Sequence, residues 1–277
     1  MNTSIQHYSA FTTDPRGGNP AGVVLDARAL ADTDMQRIAA DLGYSETAFL
    51  LLRPDGEFDI RYFSPRAEVS FCGHATIAAM VAHAERHGSG ERVLHTQAGE
   101  VRVTVDDAGM ATLTSVAPRV VPMTDDALDL SLAALDWRRD ELDPALPPAV
   151  AYAGAWHPVI AAATRARLAR MDYAFDTLAS LMAQHGWTTL ALVWRENAGT
   201  FHARNPFPPG GVVEDPATGA AAAALGAYLA ARGALPAERS FVILQGEDMG
   251  RPSRLQVSVP ADSGAGVRVS GTAVAIA

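Results

Sequence analysis

Two short turns of one kind, each followed by an apolar helix, constrain this chain more than any other feature. Glu68-Val69-Ser70-Phe71-Cys72-Gly73-His74-Ala75-Thr76 runs into Ile77-Ala78-Ala79-Met80-Val81-Ala82, and Val213-Glu214-Asp215-Pro216-Ala217-Thr218-Gly219-Ala220 runs into an Ala-rich stretch that stops at Gly233. Gly73 and Gly219 stand 146 positions apart, and Pro20 and Pro158 stand 138 apart. Around these markers one order of elements is read twice: strand, turn with Pro, strand, helix, two strands, Gly turn, apolar helix, strands. The pattern predicts a tandem duplication of an α+β unit, far longer than the 20–50 residues of a solenoid repeat. A helix that is apolar all round is buried. Each half is therefore expected to be a β-barrel-like sheet wrapped around its own central helix.

In the first half, strands are predicted over 5–12, 23–25, 45–51, 58–63, 91–96, 100–106 and 110–116, with helices over 32–42 and from 74 to about 87. In the second half, strands are predicted over 150–153, 159–161, 188–194, 199–205, 240–245, 253–259 and 266–276, with helices over 175–185 and 218–232. Gly43, Gly186 and Gly233 end helices. Residues 17–22 and 154–158 read as turns, and Pro118 to Pro148 as the link, with a charged, exposed segment around Trp137. The expected domains are 1–117 and 118–277, with the last strand returning to the first. The two central helices, both starting at Gly turns, are expected to face one another across a cleft, where ligands commonly bind.

Composition removes several functions. Of 277 residues, 48% are hydrophobic and 19% charged, and the net charge is −9. No basic cluster offers a footprint for nucleic acid. No uninterrupted apolar run reaches the roughly 18 residues of a membrane span, and the N-terminus lacks the pattern of a signal peptide. A single cysteine, Cys72, allows no internal disulfide and no Cys-rich metal site. A cytoplasmic protein is expected. The histidines show no paired metal spacing; His83 and His87 are four apart, but without HExxH context. No metal is expected. P-loop, dinucleotide and serine-hydrolase signatures are absent.

The residues able to do chemistry each carry a plain alternative. Glu46 opens a strand among apolar neighbours, where burial would raise its pKa and fit it to carry protons; it could equally be a solvated strand end. His74 stands at a helix start, where it could act on a ligand or make a structural hydrogen bond. Asp215 precedes a helix and could simply cap it. Cys72 could be a small buried hydrophobe.

Five motifs in order, Gly18-Asn19-Pro20-Ala21-Gly22-Val23, Ser45-Glu46-Thr47-Ala48-Phe49, Arg61-Tyr62-Phe63-Ser64-Pro65, Phe71-Cys72-Gly73-His74-Ala75-Thr76 and Glu214-Asp215-Pro216-Ala217-Thr218-Gly219, together resemble the PhzF family of phenazine-biosynthesis isomerase-like proteins. The resemblance implies a diaminopimelate-epimerase-like fold, a homodimer, and proton transfer on a small carboxylate-bearing substrate without a cofactor. It implies that Glu46 is the proton shuttle and that His74 and Asp215 assist. It places Asn19, Ser45, Gly73, Thr218, Gly219 and Ala220 at the substrate. The phenazine-forming members, which isomerise a dihydro-hydroxyanthranilate, carry Ser where this chain has Ala220; the missing hydroxyl weighs against that substrate. The related epimerases and proline racemases use two thiols, one per half. Cys72 matches the first, while the second half offers Pro216-Ala217 and no cysteine. Two alternatives stay open: a thiol-dependent racemase or epimerase using Cys72, and a non-catalytic binder of a small acid or a protein.

Overall fold

A computed structural model describes residues 4–262 and 264–277. Met1 to Thr3, which begin the stretch read above for a targeting signal, lie outside the described residues. The chain forms two compact units. One comprises residues up to Thr114 together with Ser270–Ala277, and the other comprises Ser115–Val269.

The first unit contains β1 (Gln6–Ala10), β2 (Asn19–Val24), α1 (Asp32–Leu42), β3 (Glu46–Leu52), β4 (Phe58–Phe63), β5 (Glu68–Val69), α2 (Gly73–His87), β6 (Gly90–Thr96), β7 (Gly99–Val105) and β8 (Ala111–Thr114). The second contains β9 (Arg119–Pro122), α3 (Asp125–Leu135), β10 (Ala149–Tyr152), β11 (Trp156–Ala161), α4 (Arg165–Ala169), α5 (Phe175–His185), β12 (Ala191–Asn197), β13 (Thr200–Phe207), β14 (Val212–Asp215), α6 (Gly219–Arg232), β15 (Ser240–Gln245) and β16 (Ser253–Ser258). The chain then passes through β17 (Arg268–Gly271) to β18 (Ala273–Ala275).

Strand pairing repeats step for step. In the first unit β1–β2 is antiparallel, β2–β3 parallel, β3–β4 and β4–β5 antiparallel, β4–β6 parallel and β6–β7 antiparallel. In the second, β10–β11, β11–β12, β12–β13, β13–β14, β13–β15 and β15–β16 follow the same directions. Each unit also receives one outer antiparallel strand, β18 against β1 and β9 against β10. The architecture is α+β.

Each sheet wraps one central helix. From His74 to His83 every residue of α2 is buried, and α6 is buried at Gly219 and throughout Ala221–Leu229. The helix α2 packs on β1, β2, β3, β7, β8 and β18, and α6 packs on β9, β10, β11 and β16. Burying one Ile or Leu on such a helix contributes about 1.5–3 kcal/mol. Gly226, mid-helix in α6, has a packing reason: a Cβ there would stand 3.0 Å from Val257 and Val267, tight against the sheet.

Two sequence expectations are corrected. The turn clusters at 17–22 and 154–158 are largely strand, since β2 begins at Asn19 and β11 at Trp156. Pro20 and Pro158 each stand one residue before the parallel ladder to the next strand begins, at Ala21 and Val159. The missing proline N–H therefore costs no bond on that side. The segment 118–148 is no simple link. It supplies β9 and α3, and Leu128, Leu132, Leu135 and Trp137 enter the second unit's core beside Leu178, Leu181 and Met182. Trp137, expected to be exposed, is buried beneath the guanidinium of Arg167.

Candidate active site

In the first unit the backbone brings a carboxylate to a helix start. Helix α1 stops at Gly43, whose left-handed φ of 68° reverses the chain. Tyr44 and Ser45 follow, and Glu46 opens β3 opposite Ala21 of β2. Thr47 to Leu50 behind it are buried. Asn19, also buried, opens β2. It is delivered there by Gly18, at φ 68°, where a Cβ would collide with the carbonyl of Ala10. Only glycine accommodates both constraints.

The start of α2 is braced from behind. Cys72 is its N-cap residue, extended and with no side-chain cap. The hydroxyl of Thr76 donates to the Cys72 carbonyl at 2.6 Å, so the 2.6 Å bond between Thr76 and Tyr62 has the buried Tyr62 hydroxyl as donor. With that turn fixed, the His74 Nε2 lies 3.5 Å from Glu46 Oε2 and 3.4 Å from Ser45 Oγ. Cys72 Sγ lies 3.3 Å from His74 Nδ1 and 3.9 Å from Nε2. Burial pushes the Glu46 carboxyl above its ordinary range, partly offset by hydrogen bonding to the Ser45 hydroxyl and the Cys72 thiol. A carboxyl whose pKa is raised in this way is better suited to hold and return a proton than a solvated one. The donor atoms of Glu46, Cys72 and His74 all lie within 4.8 Å of one another, the thiol nearer Nδ1 of the His74 ring and the carboxylate at Nε2.

The second unit repeats the scaffold with other side chains. Thr218 is the N-cap residue of α6, yet its hydroxyl does not cap the helix. It donates instead to Asp215 Oδ2 at 2.5 Å. Gln245 on β15 ties the turn together: its amide donates to the Asp215 carbonyl at 2.7 Å and to Thr218 Oγ1 at 3.1 Å, and its carbonyl accepts from the Thr218 N–H at 3.2 Å. Gly219 is buried and Ala220 half-buried. By helix start, Cys72, Gly73 and His74 correspond to Thr218, Gly219 and Ala220. The counterpart of Cys72 is therefore Thr218, not Pro216-Ala217. By ladder register, Glu46 corresponds to Ala191 and Asn19 to His157.

Of the residues expected at the site, Ser45, Glu46 and His74 come together in the first unit, with Cys72 beside them. Asp215 and Thr218 come together in the second. Four supports were given no role by the sequence reading. Tyr62 and Gln245 brace the two turns. An Arg–Glu pair also clamps each approach strand, Arg61–Glu68 at 2.7 Å in the first unit and Arg204–Glu214 at 2.5 Å in the second. An arginine inside each strand, Arg61 in β4 and Arg204 in β13, was the available signal.

The phenazine biosynthesis-like protein family, PhzC-PhzF, matches residues 8–277. An uncharacterized isomerase of Escherichia coli (strain K12), YddE, is 32% identical over 286 residues, covering 99% of this chain and 96% of its own length. The trans-2,3-dihydro-3-hydroxyanthranilate isomerase of Pseudomonas chlororaphis is 32% identical, covering 98% and 97%. The crystal structure of a PhzF-family phenazine biosynthesis protein from Bacillus anthracis is similar at a TM-score of 0.88 and 28% identity, over 99% and 96%. A hydroxyproline epimerase from Agrobacterium vitis, 14% identical with a TM-score of 0.64 over 99% and 90%, shares the fold. With residues 8–277 matched by the family model and named isomerases among relatives that align over nearly its full length, the chain belongs to the PhzC-PhzF family and is an isomerase.

Proposed function

We propose that the protein moves a proton on a small carboxylate-bearing metabolite without a cofactor, with Glu46 as the shuttle. The observation that carries this reading is the Glu46 carboxylate, nearly buried, held above its ordinary pKa range and 3.5 Å from His74. Glu46 takes a proton from a carbon next to an unsaturated or carbonyl system and returns it elsewhere. His74 holds a polar group of the substrate. The start of α2 has no side-chain cap, which supports the Gly73 amide and its neighbours as donors to the substrate carboxylate. Asn19 and Ser45 complete the first unit's contacts. Asp215, Thr218, Gly219 and Ala220 are assigned to substrate binding on the family resemblance.

The relative that isomerises a dihydro-hydroxyanthranilate supports a carboxylate substrate. Ala220, in place of that subgroup's Ser, favours a different molecule. A two-thiol racemase is disfavoured because the counterpart of Cys72 is Thr218. The test begins with mass spectrometry of small acids retained by the purified protein. Each acid found is then incubated with the enzyme in deuterated water. Incorporation of deuterium into carbon by the parent, lost in Glu46→Gln, supports the reading. Retention of an acid with no exchange by either would make the protein a binder.

A further inference from the structure

Neither central helix is capped by the side chain of its N-cap residue. Cys72 before α2 and Thr218 before α6 hold equivalent positions, and neither makes a side-chain cap bond. Each meets a titratable side chain instead. The Thr218 hydroxyl donates to Asp215 Oδ2 at 2.5 Å. The Cys72 thiol lies 3.3 Å from His74 Nδ1, nearer than to Nε2 at 3.9 Å. An N-cap hydroxyl ordinarily accepts from the helix N–H groups. In both units that bond is given up for a contact beside the candidate site.

The proton positions on His74 follow from its neighbours. Nε2 faces Ser45 Oγ at 3.4 Å and Glu46 Oε2 at 3.5 Å. The Ser45 hydroxyl hydrogen-bonds to the Glu46 carboxylate, so its proton points there. With Glu46 ionised, both oxygens are acceptors toward Nε2, and Nε2 is the donor. In a neutral imidazole Nδ1 is then an acceptor. Beside it stands Cys72 Sγ, which as a thiol has one proton to give. The thiol also faces the Glu46 carboxylate, but one proton cannot serve both at full strength. Given to Glu46, it would leave the lone pairs of Sγ and Nδ1 opposed at 3.3 Å. Given to Nδ1, it leaves Glu46 its contacts with Ser45 and the imidazole. Which ring nitrogen holds the proton is set by the hydrogen bond made at the other.

We propose that Cys72 is a positioning residue, whose thiol donates to His74 Nδ1 and holds the imidazole with its proton on Nε2, the atom facing Glu46. Cys72 thereby serves the site without acting as a base. The effect on turnover rests on the proposed function, because it is exerted through His74 and Glu46; the tautomer does not.

Nitrogen NMR of the full chain with isotopically labelled histidine rings, at neutral pH, reads the tautomer. The His74 signals are assigned by their loss in His74→Gln. In the parent, Nε2 should carry the proton and Nδ1 should show the shift of a nitrogen that accepts a hydrogen bond. In Cys72→Ala the Nδ1 signal should move to that of an unbonded ring nitrogen, and in Cys72→Ser, whose hydroxyl donates in the thiol's place, it should return toward the parent. A proton on Nδ1 in the parent, or an unmoved Nδ1 signal in folded Cys72→Ala, overturns the proposal. The chain has one cysteine, so the infrared S–H stretching band belongs to Cys72. A band lowered by donation to nitrogen is expected in the parent, and absence of the band, the mark of a thiolate, also overturns the proposal. Neither parent measurement depends on a variant of Cys72 folding. Deuterium exchange into a retained acid should fall by less than about tenfold in Cys72→Ala, against 100- to 10,000-fold for a lost proton carrier, and recover in Cys72→Ser. Exchange at the parent rate in Cys72→Ala overturns the effect on turnover. If Nδ1 behaves as described but Glu46→Gln still exchanges, the function fails and the tautomer assignment stands. If exchange depends on Glu46 but Nδ1 carries the proton, the positioning role fails and the function stands.

Discussion

The two helix starts show what duplication preserves and what it releases. Both are reached by a short strand after an Arg–Glu clamp, both place a glycine in the first helical position, and both lack a side-chain cap. In the first, Cys72, His74 and Glu46 form a titratable cluster. In the second, the corresponding positions hold Thr218, Ala220 and Ala191, and the acid is Asp215, which is held by Thr218 and Gln245. The scaffold is symmetric and the chemistry is not. One nearly buried carboxylate in one unit suits the shuttle proposed above, whereas racemisation by two thiols needs a matching thiol in each half.

The largest effect on stability separates the two clamps. Arg204 and Glu214 are only 10% and 4% exposed, against 25% and 22% for Arg61 and Glu68. Arg204→Met leaves Glu214 buried without its partner and should cost about 3–5 kcal/mol. Arg61→Met should cost about 1 kcal/mol or less, because water screens the pair. Urea denaturation measures both, and equal losses would break the distinction.

Next comes an acid limb supplied by the second unit. Burial holds His157, the counterpart of Asn19, at a pKa of about 4 against an ordinary 6.5, outweighing its hydrogen bond to Thr189. Below pH 6.5 the unfolded chain takes up a proton that the folded one refuses until about pH 4. Stability therefore falls as pH drops through that window, by about 3 kcal/mol at roughly 1.4 kcal/mol per pKa unit. His83, lowered to about 4 first by burial, then by His87 and Arg92 nearby, adds in the same direction. Comparing parent and His157→Asn at pH 7 and pH 4.5 by thermal melting should show a smaller pH loss in the variant.

The smallest effects fall on the paired N-cap residues. Thr218→Ala removes a hydroxyl bonded to Asp215 and Gln245 and should cost about 1 kcal/mol, as for a typical intramolecular hydrogen bond. Cys72→Ala deletes a small buried atom and should cost about 1 kcal/mol, with turnover falling less than about tenfold by comparison with the 100- to 10,000-fold of a lost proton carrier. A drop of two orders of magnitude with an unchanged melting temperature would restore the thiol mechanism.

Much of this was legible in the chain. The all-apolar helices after Gly73 and Gly219 announced two buried central helices, and the repeat announced two alike units. Gly43 and Gly186, both in left-handed conformation, were readable as helix ends. Prolines misled where they sit beside, not within, a parallel ladder, as Pro20 and Pro158 do. Helix α3 carries a readable apolar face at Leu128, Leu132 and Leu135, hidden by flanking prolines and charges. The meeting of Glu46 with Cys72 and His74 could not be read from spacing, because they come from β3 and α2, where no local spacing applies. Gln245 lies 30 positions from Asp215, and only the β13–β15 pairing brings its strand beside that turn.

The most direct measurement is carbon-bound deuterium incorporation from deuterated water into a retained acid, compared among parent, Glu46→Gln and Asp215→Asn. Glu46→Gln should remain folded. Because burial raises the Glu46 pKa, ionising it costs stability as pH rises above the ordinary 4.5, and the variant escapes that cost. The account predicts that Glu46→Gln loses exchange by about 100- to 10,000-fold, while Asp215→Asn weakens binding but still exchanges at saturating acid. Exchange at the parent rate by Glu46→Gln would contradict it.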